Sequence, residues 1–280
     1  MAVIDLILNL VGLAFWLNWR SLKLAPLAAS AGISLAGIVR RAEPRRARGW
    51  PLLLALAVLL FLRGLVYWQI GSAVNWTPKL ELGVIAISFR SDFLARTLLF
   101  SALSFVLTLV VFYLWLLLLS LVNGRGAEAE PLQKFVRLHL GGIAPWPWPL
   151  RLLLPLVIAS VLWLALTPIL TQWRMIPAAR SAVQRLEQAG LLGLGVYLTA
   201  KYLIIALLAL YLVNSYIYLG SHSFWNFIGV TGRNLLLPLR WLPLRVGKME
   251  FRPVVGIALV SLGAELAERG LTSLYSRLAL

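Results

Sequence analysis

Four ionisable side chains stand inside long apolar runs of this chain: Arg63, Lys201, Glu265 and Glu268. A charge at membrane depth is costly, so it marks a pairing partner, a binding site or a wetted path. Arg63 lies twelve residues past Pro51, and Glu265 twelve past Pro253. Two helices entering from one side would carry both groups about 18 Å inward. The expectation is an intramembrane charge pair, the Arg63 guanidinium fork gripping the Glu265 carboxylate. Lys201 with Glu268 is the rival pairing, and Arg269 also reaches Glu265 at i, i+4. The role expected of such a pair is to fix helix register, because one opposed pair makes no conduction path.

Other chemistry is scarce. Cysteine is absent, which excludes disulfides, thiolate metal sites and cysteine nucleophiles. The two histidines are His139 and His222. His222 lies between Ser221 and Ser223 with no acid nearby in sequence, so it reads as a helix cap rather than part of a hydrolase triad. His139, among basic residues and glycines, reads as a solvated interface residue. The chain has no phosphate-binding loop, dinucleotide fingerprint, H-E-x-x-H or G-x-S-x-G motif. No catalytic residue, cofactor or metal is expected, and the chain reads as a non-enzyme.

The elements that must position these charges are membrane spans. Of 280 residues, 61% are apolar or aromatic and only 13% are charged. A soluble domain is about 45–50% apolar and about 25% charged, so this composition cannot cover a water-soluble globule. A span needs about 20 apolar residues. Residues 51–74, 93–122, 150–172 and 191–219 qualify. Residues 253–267 are shorter, and 4–19 are marginal. The positives Arg20 and Lys23 follow that first run, which is the order of a retained anchor rather than a secretory signal. Residues 24–39, shortened by Pro26, read as an interfacial or re-entrant helix. If they spanned, every later orientation would flip.

In six-span order, alternate loops carry sixteen Lys and Arg, including Arg40, Arg41, Arg45, Arg46 and Arg48, against eight on the opposite side. The positive-inside bias puts the richer set in the cytoplasm. Trp19, Trp50, Trp76, Trp146, Trp148 and Trp173 fall at span ends, where indole rings prefer the headgroup level. Trp16, Trp68, Trp115 and Trp163 fall within spans and read as core. The net charge of +16 is read as basic loops facing anionic lipid, not as a nucleic-acid surface.

An internal repeat organises the later part. PLQKFVRLHLGGI (131–143) aligns with SFWNFIGVTGRNL (223–235) at constant offset, Phe135 meeting Phe227 and Val136 meeting Ile228. Each follows a long span and precedes a Pro-rich stretch and a second span. The reading is all-α: a polytopic membrane protein of about six helices, with two parallel helical-hairpin repeats linked by amphipathic cytoplasmic segments. An N-terminal anchor portion covers 1–92, the first repeat 93–172 and the second 191–280. Leu132, Phe135, Val136 and Ile143 fall near one face of one amphipathic segment. Phe224, Phe227, Ile228 and Leu235 do so in the other. Such a face can lie in the lipid interface or pack on neighbouring spans, and both readings stay open.

The second connector carries a specific pattern: Ser223-Phe224-Trp225, Thr231, LLLPLRWLP at 235–243, then Gly247-Lys248-Met249-Glu250-Phe251-Arg252-Pro253. It resembles the YggT family of small bacterial and plastid membrane proteins, which includes YlmG-like members. Glu250 and Arg252 stand where the family motif has Asp and Ser, and Trp241 replaces one of its paired arginines. The resemblance is clearest over 222–260. It implies the bacterial inner (cytoplasmic) membrane, no established enzymatic activity, and a role in assembling or distributing membrane complexes. A link to osmotic and cation tolerance is also implied.

The functional expectation is therefore a scaffold or assembly factor. It would contact anionic lipid and a membrane-protein partner through the connector residues Arg233, Arg240, Trp241, Arg245, Lys248, Glu250 and Arg252. Ion or small-solute transport is the alternative. A lipid-modifying enzyme ranks last, because Glu43, Glu128, Glu130 and Glu250 are the only acids on the cytoplasmic side.

Overall fold

The computed structural model describes residues 2–29, 49–74, 77–124, 131–143, 146–177, 179–217, 222–241, 245–246 and 249–279. In chain order the helices are α1 (Ala2–Ala29), α2 (Trp50–Val74), α3 (Leu94–Asn123), α4 (Pro131–Leu140), α5 (Trp148–Gln172), α6 (Ala182–Gly195), α7 (Ala200–Tyr216), α8 (Ser223–Leu235) and α9 (Arg252–Ala279). A 3-10 turn, Val196–Thr199, joins α6 to α7 without a break. Two ribbons interrupt the helices: β1 (Lys79–Glu81) with β2 (Ala86–Ser88), and β3 (Arg245–Val246) with β4 (Met249–Glu250).

Five stretches among the described residues are long and apolar enough to cross a membrane: Val3–Lys23, Trp50–Gly71, Leu94–Asn123, Trp148–Gln172 and Ala182–Tyr216. The all-α expectation is thus met, and all six expected spans lie in helices, five of them long and apolar enough to cross. The bounds differ in places. The helix expected at 191–219 starts at Ala182, because Ser181 caps it by accepting from the Gln184 amide at 3.1 Å. Residues 253–267 lie in α9, which is helical throughout but falls short of the apolarity of the other five. Glu265, Glu268, Arg269 and Arg277 are the physical reason. Residues 24–29 continue α1 past Pro26 rather than starting a separate helix, and 30–39 lie outside the described residues.

The chain divides into two compact units, Met1–Leu80 with Ala86–Phe112, and Glu81–Ile85 with Tyr113–Leu280. Helix α3 contributes its first part to one and its last to the other. In the first unit α1, α2 and the start of α3 pack together through small residues. A Cβ on Gly12 would meet the Phe105 ring at 2.9 Å and Leu56 at 3.2 Å. One on Gly64 would meet Leu98 at 2.5 Å. With no hydrophobic drive between helices in lipid, such close approach is how apolar spans gain contact.

In the second unit, α5 and α6 run antiparallel. Ser160 donates to the Ala189 carbonyl at 2.9 Å, and Tyr197 donates to the carbonyl of Leu152. Helices α7 and α9 also pair, with Gly256 under Leu208. The tip of the first ribbon turns at Gly83, whose φ of +76° suits glycine and whose Cβ would strike the Gly195 carbonyl at 2.8 Å.

The two amphipathic segments are both helices, α4 and α8. Phe227 and Ile228 are buried in one core with Leu207, and Leu119, Leu132, Tyr211 and Leu235 pack against it. Val136 is buried as well. The packed-on-neighbours reading therefore holds for these residues, while Phe224 remains exposed. His139 is corrected: it is buried, its ring stacks on Phe135 with centroids 4.0 Å apart, and Nδ1 lies 3.0 Å from the Phe135 carbonyl. Trp68 is also corrected, since it is exposed rather than core, whereas Trp163 is buried.

Candidate functional site

Arg63 sits near the middle of α2 with its side chain 1% exposed. One Nη donates to Asn9 Oδ1 at 2.7 Å. The other donates to Asp5 Oδ1 at 2.7 Å and to Ser104 Oγ at 3.1 Å. Asn9 Nδ2 donates to the same Ser104 hydroxyl at 2.9 Å, and the Tyr67 hydroxyl donates to Asp5. The guanidinium also lies 5.4 Å from each of the Tyr67 and Phe100 ring centroids, within cation–π reach. Phe89 closes over Phe100 with ring centroids 5.5 Å apart and is fully buried.

Helical spacing builds this cluster. Asp5, Asn9 and Gly12 lie at i, i+4 and i+7 on α1, so two polar groups and a close-approach glycine share one face. Thr97, Ser101, Ser104 and Thr108 make a hydroxyl stripe at helical spacing on α3. Leu60, Arg63 and Tyr67 do the facing on α2. Ser101 donates to the Leu60 carbonyl at 2.8 Å, and Thr108 to the Ser104 carbonyl at 2.9 Å. Three helices meet at one cation whose charge is met by Asp5 and whose Nη groups also donate to Asn9 and Ser104. Within this cluster, Arg63 Nε is buried without a hydrogen-bond partner.

The expected Arg63–Glu265 pair is therefore corrected. Arg63 is committed to Asp5, Asn9 and Ser104, and Glu265 is paired to Arg269 one turn along α9. Equal depth does not fix azimuth, and Asp5 faces Arg63 from the helix packed beside it. Asp5, at the start of the marginal run 4–19, escapes a hydropathy reading, although its i, i+4 spacing to Asn9 is a signal. The rival pairing is present in the second unit: Lys201 Nζ lies 2.9 Å from Glu268 Oε2, with side chains 22% and 44% exposed.

The connector residues fall in three groups. Arg233 and Arg240 are exposed, and Trp241 is 79% exposed. Arg245 and Glu250 are paired in the register of the second ribbon, and Val246 with Met249, so this part of the connector is strand. Arg252 opens α9, partly buried, and Lys248 lies outside the described residues. Beneath the connector, Asn123 Nδ2 donates to Thr231 Oγ1 at 2.9 Å, tying the end of α3 to α8. His222 takes the expected capping role, its Nδ1 accepting from the Phe224 amide at 3.2 Å.

Chemically, the Arg63 cluster is a closed interhelical lock. Its hydrogen-bonding groups face one another across helices, and hydroxyls and amides on small faces suit that purpose. Among the described residues no three of His, Asp or Glu come together in a way that could hold a metal ion. Scans against protein-family models, curated proteins and solved structures return no match to this chain.

Proposed function

We propose that this chain is a non-enzymatic, multi-pass membrane protein that organises or assembles a membrane complex, in the bacterial inner membrane and with YggT-like architecture over its later part. The observation that carries this reading is how the chain divides its polar and apolar groups. The strongest in-span charge, Arg63, is used to hold three helices together. The lateral faces of the spans stay open: Leu54, Val58, Phe61 and Leu62 on α2, and Leu153, Val157, Ile158 and Val161 on α5, are exposed apolar side chains. Helices bound to one another by internal polar ties, with broad apolar flanks, suit lipid and helix contact. Arg233, Arg240 and Trp241 add an exposed basic and aromatic edge at which anionic lipid or an acidic partner segment can bind.

Transport is the alternative. It needs Arg63 on a wetted path, and the near-complete enclosure of Arg63 speaks against it.

The test is purification of the tagged full chain from native membranes in mild detergent, with flux assays on the same preparation in proteoliposomes. The assembly reading expects one membrane protein at fixed stoichiometry, lost when Arg240 and Trp241 are both replaced by alanine, and no solute flux. A chain that isolates alone and conducts a solute in a way that Arg63→Leu abolishes would overturn it.

A further inference from the structure

A groove of ≈ 770 Å³ runs along the second unit between α5, the α6–α7 helix and α9. Its wall is apolar, formed by residues such as Leu153, Leu156, Leu194, Leu198, Leu271 and Leu274. Lys201 is the one charged residue in that wall. Its counter-ion, Glu268, is outside the wall and more exposed. Small residues open the space: Ala264, Ala267 and Gly270 line it from α9, and a Cβ on Gly270 would meet nothing within 4 Å.

The level of Lys201 follows from the packing. Tyr197 bonds to the carbonyl of Leu152, and α5 and α6–α7 are antiparallel. Lys201 is one turn beyond Tyr197, and Trp148 is one turn before Leu152. Lys201 therefore stands level with the first turn of α5. No side chain caps that turn, since Pro147 occupies the N-cap position. Trp146 and Trp148 are exposed beside it. A cation and a helix N-terminus, both favourable to an anion, thus meet at one level, and an apolar trough leads from there along α5.

We propose that this groove is a discrete site for one anionic phospholipid, its phosphate at Lys201 and an acyl chain lying in the trough beside α5. The charge at the wall selects an anion, and the trough selects a long apolar tail. The site rests on the membrane reading above and adds to it a stoichiometric lipid rather than a general basic edge. In the lipid-bound state the phosphate shares the Lys201 ammonium with Glu268.

The test is native mass spectrometry of the full chain in detergent, titrated with phosphatidylglycerol or phosphatidylcholine of matched acyl chains. One phosphatidylglycerol should be retained in preference to phosphatidylcholine. Lys201→Met should weaken that retention about tenfold, as loss of a charge-assisted contact does. Gly270→Leu should weaken it comparably by filling the trough. Glu268→Gln, which frees the ammonium without touching the wall, should strengthen it and so guards against a Lys201 variant that merely unfolds. Equal retention of the two lipids, or unchanged retention in Gly270→Leu, overturns the site. So does a dimer that Gly270→Leu splits with no change in lipid. Partition of the chain into the soluble fraction after alkaline extraction would sink the membrane reading itself; a pelleted chain that retains no lipid would sink only this inference.

Discussion

Arg63 and Lys201 are both cations inside long apolar helices, and the chain treats them in opposite ways. Arg63 is enclosed, with its charge and three hydrogen bonds spent on α1 and α3 and its guanidinium set against the Tyr67 ring. Lys201 has one acidic partner, sits partly exposed, and borders an open groove. The difference follows from side-chain chemistry. The planar guanidinium fork has donors enough to tie several helices at once, whereas an ammonium is a compact charge on a flexible stem. A cation that must fix helix packing is therefore best an arginine, and one that must stay available to a ligand is best a lysine.

The sharpest way to break this contrast is to remove Arg63. Arg63→Leu leaves Asp5 without its counter-ion and strips Asn9 and Ser104 of a donor, so unfolding in detergent should fall by about 3–5 kcal/mol. Arg63→Lys should lose much of the same, because one ammonium cannot reproduce the forked contacts. Replacing the pair together, Arg63→Met with Asp5→Leu, should recover most of the loss. A double variant as weak as the single ones would show that the charges do more than hold the helices.

A smaller effect belongs to close packing in the second unit. Gly232 lies within α8, where alanine normally helps a helix by about 1 kcal/mol. Its Cβ would stand 2.5 Å from Tyr211 Cγ and 2.7 Å from Tyr211 Cβ, atoms that cannot swing away. Gly232→Ala should therefore destabilise by about 1–3 kcal/mol, read as a drop in thermal midpoint. Asn123→Leu, which leaves Thr231 without its donor, should cost about 1 kcal/mol, in the range of interhelical hydrogen bonds in membranes. The smallest change is expected at Lys201. Its partner is 44% exposed, so Lys201→Met should move stability by no more than about 1 kcal/mol. A Lys201 variant as damaging as Arg63→Leu would erase the distinction between lock and open site.

Much of the architecture was legible because lipid imposes a simple length rule. Runs such as 93–122 and 150–172 have no soluble alternative, and both are helices within two residues of the expected bounds. The amphipathic pair at 131–143 and 223–235 was legible from period, and Arg63 from the cost of a charge at depth. Partner identity was not legible. Hydropathy gives depth but no rotation about the helix axis, so Glu265 and Asp5 looked unequal for the wrong reason. Asn9 and Ser104 were hidden as neutral residues in apolar surroundings, and only the facing stripes on α1 and α3 give them a role. The ribbon at 245–250 escaped notice because two-residue strands leave no periodicity to read.

The most direct test is a double-mutant cycle on Arg63 and Asp5, measured as unfolding free energy of the full chain in bilayer-like detergent, with Arg63 and Glu265 as the parallel cycle. The account predicts a coupling of about 2–3 kcal/mol between Arg63 and Asp5 and none between Arg63 and Glu265. Additive effects for Arg63 with Asp5, or a coupling that appears with Glu265 instead, would contradict it.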